Sequence, residues 1–208
     1  MRCHRLVIVV VATVLATSAQ AQDLKFRGFV DGGSTTFSAQ KSFKAILGSE
    51  SGRVFGGGIE AVERGVFLNL RISRFQKTGQ RVFIFQDQQF PLGIPETIRV
   101  TPFEVNGGYR FEVVSWLVPY AGGGLGWHRF RDTSKFADSS ENFEQTYRGF
   151  QLLGGAEFRL SRWLGAAAEA QWSRVPDALG DDPNSISNAF SETDLGGTTL
   201  RVKVVIGR

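Results

Sequence analysis

Apolar and polar residues alternate with a period of two between Tyr147 and Trp172, and the polar pair Ser161 and Arg162 interrupts the pattern once. Before the interruption, the apolar face consists of Phe150, Leu152, Gly154, Ala156, Phe158 and Leu160. After it, the corresponding face consists of Leu164, Ala166, Ala168, Ala170 and Trp172. Because successive side chains of a β-strand point to opposite faces, this pattern predicts a tight hairpin of two strands of about ten residues each.

Six further segments alternate in the same way, so the chain is predicted to form eight strands. The other predicted strands are Leu24 to about Phe37, Arg53 to Val62, Val66 to Ser73, Phe103 to Phe111, Leu117 to Phe130 and Thr199 to Ile206. At the start of the fourth strand the phase of the alternation slips near Pro102, and we interpret this proline as a β-bulge.

Charged residues recur on the face of these strands that is opposite the apolar face. If the sheet closes into a ring, one of these two faces must line its interior. A barrel with lipid outside and a polar, charge-paired interior accommodates both faces. The charged residues with inward parity are Glu60, Arg71, Glu104, Arg110, Glu157, Arg159, Glu169, Arg201 and Lys203. The predicted fold class is therefore all-β, an eight-stranded antiparallel up-and-down transmembrane β-barrel.

The width of such a barrel restricts its function. Eight strands enclose an interior just wide enough to be filled with side chains, which argues against a permanent aqueous channel. The five basic and four acidic inward residues can pair into a network that satisfies every charge. The alternative is that the same charges form a path for protons or ions.

Long and short connections alternate along the chain. Segments 38–52, 76–97, 131–146 and 174–193 are long, whereas segments 63–65, 112–116 and 161–162 are short. All long loops therefore lie at one end of the barrel. This arrangement is typical of bacterial outer-membrane barrels, which have long extracellular loops and short periplasmic turns.

The four tryptophans fit this geometry. Trp116 and Trp163 fall at short turns, whereas Trp127 and Trp172 fall near the long-loop ends of their strands. At roughly 3.3 Å per residue and a tilt near 40°, the two levels are about 22 to 28 Å apart. This spacing predicts an aromatic girdle at each rim of an apolar band about 25 Å tall.

Residues 1–21 are predicted to be a cleaved secretory signal peptide, because Arg2 and Arg5 precede an apolar run that ends near Ala19-Gln20-Ala21. The remaining residues, 22–208, fit one barrel domain. The only cysteine, Cys3, lies in the signal peptide, so the mature chain forms neither a disulfide nor a cysteine metal site. Loss of two arginines and no acid lowers the formal charge from +4 to +2, which does not indicate a nucleic-acid partner.

One strand carries a recognisable motif. The run Pro119-Tyr120-Ala121-Gly122-Gly123-Gly124-Leu125-Gly126-Trp127 resembles the Pro-Tyr-x-Gly-x-Gly-x-Gly strand of the small outer-membrane β-barrel superfamily, which includes the transmembrane domain of outer-membrane protein A. The resemblance implies residence in outer-membrane lipid and the barrel-assembly machinery as a partner during biogenesis. The chain departs from the pattern in ending Val204-Val205-Ile206-Gly207-Arg208, without a terminal phenylalanine, and in having no peptidoglycan-binding domain after the barrel.

The sequence gives little indication of catalysis. His128 is the sole histidine after residue 21, and its nearest candidate partners by predicted height are Asp132, Ser134 and Ser173. Nothing arranges them as nucleophile, base and orienting group, so we predict no enzyme activity. Acidic residues around the last long loop lack the spacing of a calcium loop, so neither a metal nor a cofactor is expected. They are Asp177, Asp181, Asp182, Glu192 and Asp194.

The segment between the third and fourth strands is too apolar for a loop in water. We predict that both strands continue beyond the outer rim as a projecting hairpin that turns near Gln86 to Gln89. Its apolar residues could capture an extracellular protein or another surface ligand, or could only pack on neighbouring loops. They are Val82, Phe83, Ile84, Phe85 and Phe90.

These observations favour a non-catalytic outer-membrane barrel with a structural or surface-interaction role and a lumen filled by paired charges. The first alternative is a narrow or gated channel for a small solute. The second is a soluble secreted ligand carrier.

Overall fold

Eight antiparallel strands form a ring in which each strand is hydrogen-bonded to the next and the last pairs with the first. The computed structural model describes residues 24–85, 88–134, 142–181 and 185–207, so the predicted signal peptide lies outside the described residues. The strands are β1 (Lys25–Phe37), β2 (Ser51–Glu63), β3 (Val66–Phe85), β4 (Gln88–Arg110), β5 (Leu117–Ser134), β6 (Phe143–Arg159), β7 (Leu164–Arg174) and β8 (Gly197–Gly207). The predicted eight-stranded up-and-down barrel is confirmed.

Strand β3 shows why this sequence closes into a barrel with an apolar exterior. Its outward residues Val66, Leu68, Leu70 and Ile72 are 36 to 58% exposed. The alternating residues Phe67, Asn69, Arg71 and Ser73 are only 1 to 2% exposed, although three of them are polar. The polar face is therefore the buried one, as expected of a barrel that has lipid outside.

The two ends of the barrel differ. The short turns and both ends of the described chain lie at one end, which we call the inner end. At the opposite end, the outer end, helix α1 (Gln40–Leu47) occupies the segment that the sequence predicts as a loop. A second, shorter helix, α2 (Ile186–Ala189), lies in the last long connection. Among the described residues, no helix is long and apolar enough to cross a membrane.

Several strands also extend further outward than predicted. The β3–β4 ladder continues to the pair Phe85 and Gln88, which confirms the projecting hairpin. Of the predicted turn, residues 86 and 87 lie outside the described residues. Strand β5 extends to Ser134, and β6 begins at Phe143, so part of the predicted loop 131–146 also belongs to the sheet.

The predicted bulge at Pro102 is wrong. The pairs Ile72–Phe103 and Phe75–Val100 on either side of it belong to one uninterrupted register, and the register shift lies instead between Gln80 and Val82. The apparent change of phase has a different cause. Ile98 and Val100 share the inward face with Glu104 but lie at the outer end, where the interior is apolar.

An apolar plug fills the outer end of the barrel. Its members are Phe37, Ala39, Phe43, Leu47, Phe75, Ile98, Val100, Phe130, Tyr147, Val175, Ala178 and Leu195. Phe43 and Leu47 lie one turn apart on the buried face of α1, and the Phe43 ring stacks on Phe37 with centroids 4.0 Å apart. Helix α1 therefore covers the outer mouth as a lid that is continuous with this core.

The backbone allows this lid to lie very close to the barrel wall. A Cβ atom added to Gly79 on β3 would lie only 1.9 Å from the carbonyl oxygen of Ile46. Helix α1 is followed by its C-cap residue, Gly48, whose φ of 73° is in the left-handed region that glycine adopts readily. Two glycines thus determine where α1 ends and how closely it packs.

An arginine on the lipid face provides a test of the barrel's orientation. We expect Leu70→Arg to lower the free energy of unfolding by about 2 to 4 kcal/mol, because this outward side chain lies between the two tryptophan levels. Thr198→Arg is the matched control, since Thr198 faces outward opposite Trp172 at the outer rim and should cost about 0 to 1 kcal/mol. Equal losses in urea unfolding from lipid vesicles would contradict this orientation.

Candidate functional site

The lumen contains a central cluster of ion pairs. The Arg71 guanidinium lies 2.7 Å from a Glu169 oxygen, 3.3 Å from Asp31 and 3.7 Å from Glu104. Lys203 Nζ lies 2.8 Å from the second Glu169 oxygen. Arg201 lies 3.5 Å from Glu169 and 3.7 Å from Asp31. Three cations thus meet three carboxylates, and all six side chains are buried.

A second, inner cluster lies closer to the short turns. Arg110 Nη2 donates to Glu157 at 2.7 Å, and its Nη1 lies 3.3 Å from Glu60. Arg27 donates to both Glu157 oxygens at 3.0 and 3.1 Å and also pairs with Glu60. Two cations meet two carboxylates here, so each cluster is neutral by itself. Neutrality within each cluster matters because an unmatched charge in a narrow, water-poor lumen is costly.

Neutral side chains connect and separate the clusters. Tyr120 lies between them: its ring contacts Arg110 and Lys203 at 5.5 and 5.0 Å, and its hydroxyl donates to Glu169 at 3.0 Å. Gln171 accepts from Arg71 at 3.1 Å and donates to Glu104 at 2.7 Å. A buried amide chain, Gln151 to Asn106 to Asn69, lies beside the central cluster, with hydrogen bonds of 2.8 and 3.0 Å.

The structure changes the predicted set of lumen residues in two ways. The sequence places Arg159 inside, but it lies at the inner rim, 38% exposed, and pairs with the still more exposed Glu112. Its strand ends there, so inward parity no longer means burial. Conversely, the network includes Arg27 and Asp31, which are absent from the set predicted from the sequence. Their position on the polar face of β1 is the signal that could have identified them.

The two mouths of the lumen differ: the inner one is open and the outer one is covered. A cavity of about 710 Å³ opens at the inner end and is lined by Arg27, Arg110 and Glu157 of the inner cluster. At the other end the plug and α1 cover the central cluster. The Glu192 carboxylate accepts hydrogen bonds from the Lys41 and Ser42 N–H groups at 3.0 and 2.8 Å. It thereby caps the first turn of α1, whose N-cap residue, Ala39, has no capping side chain.

The residues considered for catalysis do not assemble. His128 is 5% exposed beneath the plug, and its Nε2 atom has no hydrogen-bond partner among the described residues. Ser134 donates to the Pro95 carbonyl at 2.9 Å, and Ser173 donates to the Gly197 carbonyl at 3.3 Å. Burial and the neighbouring carboxylate of Glu96, which also hydrogen-bonds to it, raise the pKa of Asp132 to about 7 in the outer extension. The Asp132 carboxyl group is thus paired with Glu96 and does not orient His128.

Two of the acidic residues of the last connection, Glu192 and Asp194, have structural partners. Asp194 accepts from the Val175 and Gly196 N–H groups, both at 2.8 Å, while Glu192 caps α1. Asp182 lies outside the described residues. No group of three or more potential metal ligands occurs in the described part of the chain.

The outer hairpin presents an apolar surface. Phe83 and Phe90 are opposite each other in the ladder and are 56 and 43% exposed. Val82 is buried, Ile84 is partly buried, and the side chain of Phe85 lies outside what the structure describes. Leu92, which is 49% exposed, extends the same surface.

Aromatic side chains lie on the outer surface at two levels. Trp116 and Trp163, each 56% exposed, lie at the inner end, and Trp116 stacks on Phe158. Trp127 and Trp172, 39 and 44% exposed, lie towards the outer end and contact Phe103 and Phe150. These positions are those expected of girdles at two membrane interfaces.

Comparison with known proteins identifies the family. The sequence profile described as "Outer membrane protein beta-barrel domain" matches residues 7–204. The chain belongs to this family. It is therefore an outer-membrane protein, and this location excludes the soluble secreted carrier. No curated protein matches the chain.

Solved structures share the barrel fold. Neisserial surface protein A has 13% identity and a TM-score of 0.54, with 88% of this chain and 96% of that chain covered. The N-terminal barrel domain of Pseudomonas aeruginosa OprF has 12% identity and a TM-score of 0.52, covering 90 and 100%. A major outer membrane protein from Thermus thermophilus has 11% identity and a TM-score of 0.54, covering 89 and 99%.

The inner cluster provides a stability test of this family member. We expect Glu157→Ala to lower the free energy of unfolding by about 3 to 5 kcal/mol, because Arg27 and Arg110 would then share Glu60 alone. Glu112→Ala is the matched control, since this acid is 69% exposed and its removal should cost about 0 to 1 kcal/mol. Similar losses of unfolding free energy for both variants would contradict this prediction, because Glu157 would then contribute no more to stability than an exposed acid does.

Proposed function

We propose that this protein is a non-catalytic outer-membrane barrel whose lumen is closed to ions and solutes and whose outer hairpin binds a partner at the cell surface. The neutral pairing inside the barrel carries the first part of the proposal. Five buried or nearly buried cations meet five carboxylates, so the interior charges have a structural role without any transported species.

The surface role rests on the outer hairpin. An apolar face on a projecting β-ladder is unfavourable in water unless something covers it, and sheet edges readily pair with other chains. Phe83, Phe90 and Leu92 are exposed together there. An extracellular protein with an apolar surface fits this face better than a charged ligand does.

A gated channel is the second candidate, and the lid favours it. Helix α1 is short, and its first turn is capped by Glu192, which lies about 150 residues further along the chain. Release of this contact could expose the plug, and the inner cavity already provides an opening on the other side. The ion clusters would still separate the two mouths.

Conductance in planar bilayers distinguishes these candidates. We expect no channel openings from the wild-type protein or from Glu192→Ala, because the central and inner clusters remain paired when the lid is released. Glu112→Ala is the control for loss of a carboxylate elsewhere. Openings in Glu192→Ala but not in the control would instead establish a lid-gated channel.

Photo-crosslinking on intact cells tests the surface role. A photoreactive residue at position 83 should give a discrete protein adduct, because this side chain lies on the exposed apolar face. The same residue at Gln89, an exposed polar position of the same hairpin, is the matched control and should give none. Absence of a position-specific adduct at residue 83 would contradict partner binding by this surface.

A further inference from the structure

Arginines cluster on the outer wall of the barrel. Arg74 of β3, Arg99 of β4, and Arg129 and Arg131 of β5 all have outward parity and line one groove. Arg99 and Arg131 are direct cross-strand partners. Like charges placed directly opposite each other destabilise a sheet, so this arrangement requires compensation.

The described side chains compensate for only part of this charge. Glu144 pairs with both Arg129 and Arg131. Arg74 and Arg99 share the neutral Gln76 Oε1 atom, at 2.6 and 3.1 Å. Four guanidinium groups are thus held by one carboxylate and one amide, which leaves a strongly cationic surface.

The lower part of this groove is apolar. The groove has a volume of about 450 Å³; Phe55 lies opposite Arg74, and Gly57 and Ile72 line the lower part. Gly57 lies directly opposite Ile72 and contributes only backbone to the wall of the groove. Ile72 pairs with Phe103, which pairs with Trp127, so the arginines lie immediately above the outer aromatic level.

We propose that this groove binds a phosphorylated lipid of the outer leaflet, with its phosphate on the arginines and an acyl chain along Gly57. Guanidinium groups bind phosphate oxygens through paired, charge-assisted hydrogen bonds, and Arg99 and Arg131, as direct cross-strand partners, would share one phosphate. The site lies at the membrane interface, so the same lipid can satisfy the cationic upper part and the apolar lower part. This inference does not depend on the proposed role of the hairpin.

The test uses the purified full barrel in an uncharged detergent. The probes are bisphosphorylated lipid A, the same lipid without phosphates, and inorganic phosphate, each assayed by native mass spectrometry. Only bisphosphorylated lipid A should remain bound after detergent exchange. Equal retention of the dephosphorylated lipid, or retention of inorganic phosphate alone, would overturn the proposal.

Variants connect this binding to the arginines. Arg99→Gln with Arg131→Gln should weaken lipid A binding by about 10- to 100-fold. In lipid-free detergent its melting temperature should equal or exceed that of the wild type, because the substitution removes a repulsion. Lys44→Gln with Arg174→Gln removes the same charge from the same end and should leave binding unchanged. Unchanged binding in the first variant with a lower melting temperature would assign the arginines to barrel stability and overturn the proposal.

A second variant keeps all four arginines. Thr101 faces outward opposite Arg129, so Thr101→Glu places a carboxylate among the guanidinium groups. It should compete with the lipid phosphate and reduce lipid A retention, while the barrel in detergent becomes more stable. Full retention of lipid A by this folded variant would contradict the site.

Discussion

Lipid offers the peptide backbone no hydrogen-bond partner, so a sheet that crosses a membrane must leave no open edge. Here the β1–β8 ladder provides that closure. Closing a sheet with only eight strands leaves a lumen of side-chain width, and the inward residues must then satisfy one another. The pairing of Arg71 with Glu169 and of Arg110 with Glu157 is a consequence of this geometry.

The barrel combines two kinds of interior. Between the tryptophan levels, the inside is mostly polar, with a small apolar cluster around Phe67, and the outside is apolar. Above the outer level, the strands continue into water, and the inside becomes the apolar plug around Phe37 and Phe75. The strands therefore alternate in the same way in both regions, but the inward face is mostly polar within the membrane and apolar above it. The outward arginines mark the height at which this change takes place.

The sequence predicts the strands, their parity and most of the lumen charges because these depend on local alternation. It does not predict helix α1, since the helix is short and its cap, Glu192, is distant in sequence. Parity near a strand end fails to indicate burial, which accounts for Arg159. The inward residues Ile98 and Val100 are apolar, so the alternation in the sequence changes phase as it would at a bulge. The sequence alone does not reveal the height at which the lumen changes from polar to apolar.

The ion clusters couple the two halves of the chain. Arg27 and Glu157, which form one of the inner pairs, are 130 residues apart. The central cluster likewise joins Asp31 and Arg71 to Glu169, Arg201 and Lys203 from the last two strands. A sheet that lacks β7 and β8 therefore holds charges without counter-ions as well as open edges. Placing such an incomplete sheet in lipid would therefore carry both the cost of unmatched buried charges and the cost of unpaired backbone groups.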